Sequence, residues 1–344
     1  MRISRSRLLE LFSRFQDVRI AVCGDLFLDR WYEIDESLNE PSIETGITAW
    51  QVVRKRAAAG AAGTVLNNLS EMGAGTLSVI SLVGEDGDGW EMLKLLRERR
   101  VDTSRVIADS RIVTPSYIKP LFPTEGNRLD IKNFSPTPED IQDKIIALME
   151  EALETHDALV LLDQVCEADT GVLTARVREA VRSMAKRHPD KLIYADSRAF
   201  IHLYRDVVIK CNNHEAAAIA GVRNDEAEFH AEEVFTNMDA LRELTGKPVI
   251  VTCNRHGVAV DENGQKLLIP AAKHSCEIDI CGAGDACTAG IISTLCAGGT
   301  YAEAANIGNL SSGVTVRQIG RTGTASQAAM LALYDEQTAL QTQE

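Results

Sequence analysis

The segment Asp279-Ile280-Cys281-Gly282-Ala283-Gly284-Asp285 carries the residue types that phosphate chemistry needs. Small residues let backbone N–H groups crowd an anion. The Ala/Gly-rich run at 286–297 reads as a helix, whose N-terminus adds its positive dipole end. A carboxylate in such a place handles a proton or a metal. The simplest chemistry is phosphoryl transfer: the N–H groups hold the moving phosphate, and Asp285 takes the proton of an attacking hydroxyl. A plain helix N-cap is the alternative, because Asp is a favoured cap and Gly often precedes helices.

Four further clusters could contribute, each with a structural alternative. Gly24-Asp25 and Asp29 follow an apolar run; carboxylates four apart could accept bonds from sugar hydroxyls or simply line a surface turn. Ala59-Gly60-Ala61-Ala62-Gly63 opens a predicted helix carrying Asn67 and Asn68, which need partners if buried. Asn212 and Glu215 fit either a helix cap or a Mg²⁺ site, since Mg²⁺ prefers oxygen ligands and keeps several waters. Thr252, Asn254 and Gly257 fit a nucleotide edge or a hairpin. Other templates fail: there is no G-x-x-x-x-G-K-[ST], no third glycine at Rossmann spacing after Gly284, no H-E-x-x-H and no G-x-S-x-G.

These clusters must be positioned by regular elements. Strand-like runs at 19–23, 77–82, 158–162, 192–195, 207–210, 248–252 and 258–260 alternate with helical patterns at 63–72, 90–99, 138–153, 171–187, 215–220 and 238–244. That alternation predicts an α/β fold with a mostly parallel, doubly wound sheet and helices on both faces. Segments 31–53 and 112–134, rich in β-branched, aromatic and turn residues, are expected to form a small β lid. The acidic piece 224–233 reads as a solvated loop or helix face. The chain is expected to be one domain over 1–344, with ligands beyond the carboxyl ends of the strands.

The 344 residues carry a net charge of −14. That argues against a nucleic-acid partner and against a polybasic membrane binder. No apolar run approaches the ~20 residues of a membrane span. Glu10, Asp17 and a strand beginning near 19 argue for an opening amphipathic helix over a leader. The eight cysteines form no C-x-x-C pair and are expected to be reduced core residues of a cytoplasmic protein.

The order of the clusters resembles the ribokinase family of sugar kinases, also called the phosphofructokinase B family, from about residue 18 to 325. Within it, Gly24-Asp25-Leu26-Phe27-Leu28-Asp29-Arg30-Trp31, the stretch from Asn127 to Asn133, Asp196-Ser197-Arg198 and Gly323-Thr324-Ala325 resemble the heptose-phosphate kinase branch. That branch includes the kinase half of the bifunctional ADP-heptose synthesis enzyme. The resemblance implies a ribokinase-like fold and an ATP- and Mg²⁺-dependent kinase acting on a sugar or sugar phosphate. A nucleoside acceptor and a non-catalytic sugar- or nucleotide-binding regulator are the competing readings.

It further implies roles for particular residues. Asp285 is the base, with Gly282, Ala283 and Gly284 as the anion hole. Asn212 and Glu215 position Mg²⁺-nucleotide. Thr252, Asn254 and Gly257 border the nucleotide, with Asn309 near the base. Asp279 and the Cys281 backbone, beside the loop at 318–321, form a K⁺ site. Asp29, Gly60 and Asn68 hold the sugar, while Lys119 and Arg128 on the lid neutralise phosphate. The lid is expected to pair two subunits into a homodimer.

The chain departs from the family pattern at Ala61, Thr64 and Asn254, and at Asp163-Gln164-Val165-Cys166-Glu167, where heptose kinases carry Asp-Tyr-x-Lys-Gly. It contains no H-x-G-H, so a kinase without a nucleotidylyltransferase activity is expected.

Overall fold

A computed structural model describes residues 3–222, 229–262 and 264–343. Helix α1 (Arg5–Arg14) opens the chain. It is followed by β1 (Arg19–Gly24), β2 (Leu26–Ile34), the short strands β3 (Glu40–Pro41) and β4 (Thr48–Ala49), and β5 (Val52–Ala61). Next come α2 (Ala62–Glu71), β6 (Thr76–Gly84), α3 (Gly87–Glu98), β7 (Val106–Asp109), β8 (Ser116–Phe122), β9 (Thr124–Glu125), β10 (Leu129–Ile131), α4 (Glu139–Thr155) and β11 (Ala158–Asp163). The remainder runs α5 (Ala175–Arg187), β12 (Leu192–Ser197), β13 (Val208–Asn212), α6 (Asn213–Ile219), α7 (Ala231–Thr245), β14 (Val249–Thr252), β15 (Val258–Glu262), β16 (Gln265–Ile269), α8 (Ala283–Cys296), α9 (Tyr301–Thr315) and α10 (Gln327–Gln343).

The large sheet has the order β16-β15-β14-β13-β12-β11-β1-β6-β7. It is parallel from β14 to β7 and ends in the antiparallel pairs β14/β15 and β15/β16. Strand β1 shows why its run was legible. Ile20 and Val22 enter the core under α1, α2, α8 and α9, while Ala21 and Cys23 enter the core under α4, α5 and α7. A strand buried on both faces is apolar at every position. The expected doubly wound α/β sheet is the fold found.

The second sheet, β10-β8-β2-β5, is the lid. It is larger than the predicted segments, because β2 begins at Leu26 and β5 runs to Ala61. Gly60 therefore lies on a strand, and α2 starts only at Ala62. The helical run predicted at 63–72 is thus found within one residue, while its small-residue lead-in at Ala59 and Gly60 is strand: small residues suit both states, and pairing of β5 with β2 decides. Strands β7 and β16 had no counterpart in the predicted runs. Of the acidic piece at 224–233, residues 224–228 lie outside the described residues, and α7 begins at Ala231.

All eight cysteines are free. Cys23, Cys211, Cys253 and Cys287 are core residues as expected and Cys296 is half-buried. Cys166, Cys276 and Cys281 are exposed, because they fall in loops beyond strand ends. No helix among the described residues is long and apolar enough to cross a membrane.

Asp25 links the two sheets. It is buried between β1 and β2, and its carboxylate accepts the backbone N–H groups of Gln164 (2.8 Å), Val165 (3.1 Å) and Val172 (2.8 Å). It is thus a corner post for the loop after β11, not a sugar ligand. Burial pushes its carboxyl up, while the three N–H groups pull it down. Asp25→Ala would orphan those donors at roughly 1–3 kcal/mol each. The urea midpoint should therefore fall by the equivalent of at least about 3 kcal/mol. A wild-type midpoint would show that the corner does not depend on this acid.

Candidate active site

Helix α8 starts beyond the carboxyl edge of the large sheet. Gly282 is its N-cap residue, in the left-handed region at φ 76°, and it offers no side-chain cap. A Cβ there would lie 2.7 Å from Thr322 Cγ2, so glycine is needed on both counts. The Ala283 N–H is already used by the Ile280 carbonyl (3.1 Å). That leaves the first-turn N–H groups of Gly284 and Asp285 without an intrahelical acceptor and free to meet an anion. Of the residues of the expected anion hole, Gly282 makes the turn, Ala283 has its N–H taken, and Gly284 keeps a free N–H, as does Asp285. Asp285 lies in the first turn, not at the cap.

The Asp285 carboxyl is pushed up to about 7, first by burial, then by the charge of Asp196; Lys210 and Arg198 pull it back. Lys210, in the middle of β13, donates to Asp196 Oδ2 (2.7 Å), which also accepts the Thr288 hydroxyl (3.0 Å). Lys210 is itself buried. The pairing with Asp196 holds its ammonium above its ordinary range although burial opposes this. Sequence reasoning gave Lys210 and Thr288 no role and used Asp196 only as a mark of likeness. The available signal was a lone lysine closing an apolar strand two residues before Asn212.

On the lid, Asp29 pairs with Lys119 at 3.1 Å, and Lys119 lies over the Trp31 ring at 4.8 Å. A Cβ at Gly60 would come within 2.3 Å of Asp29 Oδ2, so the glycine makes room for that carboxylate. Arg128 pairs with Asp130 (2.6 Å) and covers the Tyr117 ring (4.1 Å). Asp29 is close enough for its charge to act on Asp285. The structure thus gathers Asp29, Gly60, Lys119 and Arg128 on the lid, with Asp29 near both Arg128 and Asp285. Beside Arg128 lies a cleft of about 200 Å³, lined among others by Tyr117, Lys132, Gln164 and Arg198 but not by Asp29, Lys119 or Asp285.

Asn68 is not part of that group. It is fully buried; its amide donates to the carbonyls of Thr64 (3.0 Å) and Gly323 (3.4 Å), and its oxygen accepts the Ala325 N–H (3.1 Å). It splices α2 to the segment before α10, which satisfies the rule that buried amides find partners.

On the other side, Asn212 and Glu215 form a full capping box for α6: Glu215 N–H donates to Asn212 Oδ1 and Asn212 N–H to Glu215 Oε2, both at 2.8 Å. Burial pushes the Glu215 carboxyl up, next to Asp196. Thr252 is paired in register with Asn212, and its hydroxyl donates to the Cys211 carbonyl (3.3 Å). Asn254 is exposed with φ 49°.

Gly257 and Asn309 meet at one structural joint. The Asn309 amide donates to the Ile269 carbonyl at 2.9 Å, and a Cβ at Gly257 would come within 1.9 Å of that same oxygen. The hairpin reading of this segment is the geometry found, since β14 and β15 pair antiparallel. Asp279 clamps two loops, accepting the N–H groups of Cys281 and Gly320, each at 3.0 Å. Among the described residues no three His, Cys, Asp or Glu side chains cluster as a metal site.

With this geometry established, similarity to known proteins identifies the family. The pfkB family carbohydrate kinase profile matches residues 27–328. This chain belongs to the pfkB family of carbohydrate kinases. It is 27% identical over 335 residues to the bifunctional protein HldE of Trichlorobacter lovleyi, covering 96% of this chain and 65% of that protein. The chain therefore spans about two thirds of the length of that relative.

The fold matches Arabidopsis thaliana ribokinase, solved with ribose and ATP, at TM-score 0.66 and 16% identity over 92% of this chain and 98% of that one. It also matches Escherichia coli phosphofructokinase-2 at TM-score 0.69 and 15% identity over 93% of this chain and 100% of that one. These likenesses confirm the ribokinase-like fold of this pfkB family member.

Two results test the Asp285 environment. A base works only when ionised, so with Asp285 in that role kcat/KM should fall about tenfold per pH unit below about 7, whereas a flat profile from pH 5 to 8 would remove it as the base. The raised carboxyl binds its proton more tightly when folded, so ionising it costs stability. That cost grows from 3.8 upward and is complete above about 7. Asp285→Asn should therefore melt higher than wild type at pH 8, and the gap should close as pH falls towards 3.8. A constant gap would mean that burial does not tax the charge.

Proposed function

We propose that this chain transfers the γ-phosphate of ATP to a hydroxyl of a sugar or sugar phosphate, with residues 1–344 working as one kinase unit. The observation that carries the proposal is Asp285: a carboxyl raised to about 7, in the first turn of a helix whose free N–H groups face the same space. Asp285 removes the proton of the acceptor hydroxyl. The hydroxyl oxygen attacks the γ-phosphorus in line, and the bond to the bridging oxygen breaks, leaving ADP. The N–H groups of Gly284 and Asp285 hold the charge that spreads over the phosphoryl oxygens.

Asp29, made room for by Gly60, takes the acceptor hydroxyls, and Lys119 and Arg128 face its anionic groups. Thr252 and Asn254 border the nucleotide, with Gly257 and Asn309 supporting that edge from behind. Asn212 and Glu215 suit Mg²⁺ held through waters, because Glu215 offers a half-buried carboxylate beside Asp196 and Mg²⁺ favours oxygen donors. Bound Mg²⁺ would neutralise β- and γ-phosphate charge. Asp279 and the Cys281 backbone, clamped to the loop at Gly320, are the proposed K⁺ site.

The HldE relatives favour a heptose 7-phosphate among acceptors. The exposed apolar residues Ile43, Ile47 and Trp50, around the β3/β4 hairpin that joins β2 to β5, and Val53 on lid strand β5 support a homodimer paired through the lid.

Protein supplied with ATP, Mg²⁺ and K⁺ should release ADP with one member of a panel of sugars, sugar phosphates and nucleosides. Asp285→Asn should lower kcat by roughly 10²–10⁴-fold. A nucleoside as sole responder would reject the sugar assignment, and ATP binding without turnover would favour a regulator. Gly60→Ala should raise the acceptor KM at least tenfold by displacing Asp29, with ADP affinity by calorimetry unchanged; an unchanged KM would move the acceptor away from Asp29.

A further inference from the structure

The cations around the cleft are almost all neutralised. Lys119 pairs with Asp29, Arg128 with Asp130, Lys132 with Glu167, Arg178 with Asp163 and Lys210 with Asp196. Arg198 differs: it forms no ion pair with the described residues, and it is exposed. It is also the residue shared by two cavities. One is the cleft beside the lid, with Tyr117, Arg128 and Gln164; the other is a neighbouring basin of about 620 Å³ that holds Glu215.

Its mounting is rigid. The Arg198 N–H donates to the Asp163 carbonyl (2.9 Å). The preceding Ser197 hydroxyl donates to the Asp163 carboxylate (3.0 Å) and accepts the Phe200 N–H (2.9 Å). One residue earlier, Asp196 is locked to Lys210 and Thr288. Exposed arginines on loose loops sample many rotamers, whereas this one leaves a backbone tied down on both sides. Its charge reaches Asp285, Glu215 and Tyr117 together.

We propose that Arg198 is a catalytic cation of the transfer step, binding an oxygen of the phosphoryl group as it passes from the donor side to the acceptor side. This rests on the kinase reading of the site. In the step, the acceptor oxygen–phosphorus bond forms and the bond to the ADP oxygen breaks. The proton goes to Asp285, and the leaving electron pair stays on ADP. Arg198 changes no bond: its guanidinium offers planar N–H donors to the equatorial oxygens, where charge is greatest in the transition state. A cation already neutralised by a carboxylate would first have to break that pair; Arg198 does not.

The test compares the full chain with Arg198→Gln and Arg198→Lys. Mg-ADP is supplied alone or with aluminium fluoride, which imitates the planar phosphoryl group. Thermal shift is the first readout. Wild type should gain stability from fluoride beyond ADP alone. Arg198→Gln should respond to ADP as wild type does, which shows that it folds, yet lose the fluoride increment; Arg198→Lys should keep part of it. An equal fluoride response in wild type and Arg198→Gln, present or absent in both, overturns the proposal.

With the acceptor found by the panel, Arg198→Gln should lose roughly 10²–10³-fold in kcat, with acceptor KM little changed. Its acid limb should move to higher pH, because a cation near Asp285 has gone. A loss confined to KM, or an unmoved acid limb, also overturns it. If wild type turns over no acceptor, the kinase reading fails on its own account, and the fluoride comparison still decides whether Arg198 binds the phosphoryl group.

Discussion

The pair between Lys210 and Asp196 is the interaction on which the site rests. The two residues are register partners on adjacent parallel strands, so the sheet delivers opposite charges side by side at its carboxyl edge. Thr288, one turn into α8 from Asp285, donates to the same Asp196 oxygen and ties the helix to the strands. Without Lys210, two acids close together in a half-dry site would share a proton, because like charges disfavour ionisation. With it, Asp285 stays near the pH at which a base can work. Breaking a buried pair of this kind by removing one partner is strongly destabilising, so the same contact serves the fold and the chemistry.

The lid shows a second constraint, the two-residue period of a strand. Asp29 and Trp31 on β2 share one face with Lys119 of β8, and Arg56 of β5 also covers the Trp31 ring. Arg30, between them, points the other way and pairs with Asp88 and Glu91 of α3. A slip of one residue in the β2 register would exchange these sets and turn the acceptor face inside out. Gly60 and Asp25 guard that register at the same end of β2, where the strand begins. The first leaves space for the Asp29 carboxylate, and the second pins the corner where the chain leaves the large sheet.

Most of the large sheet was legible because its strands are buried on both faces and therefore read as apolar runs. Strands β7 and β16 escaped notice because half-exposed edge strands lack that signature. The Asp285 loop was legible from composition, since only small residues permit such an approach to an anion. Asn68 and Gly257 were read as ligand contacts. Their types are right for that role, but a buried amide and a crowded glycine serve packing equally well, and only their neighbours separate the two uses.

By itself the sequence determined the α/β alternation, the glycine turn at Gly282 and the carboxylate of Asp285 that follows it at the helix start. Each is a local property: side-chain size, hydrophobic period and the spacing of a carboxylate from a helix start. Tertiary structure alone decided which distant charges meet. Asp196 and Lys210 are 14 residues apart along the chain, and Thr288 is 92 from Asp196. Arg198 acquires its place between the two cavities only when β12 is laid beside β11, whose Asp163 carbonyl takes its N–H. Electrostatic neighbours are set by strand order and register, and neither is written in the local pattern of any one segment.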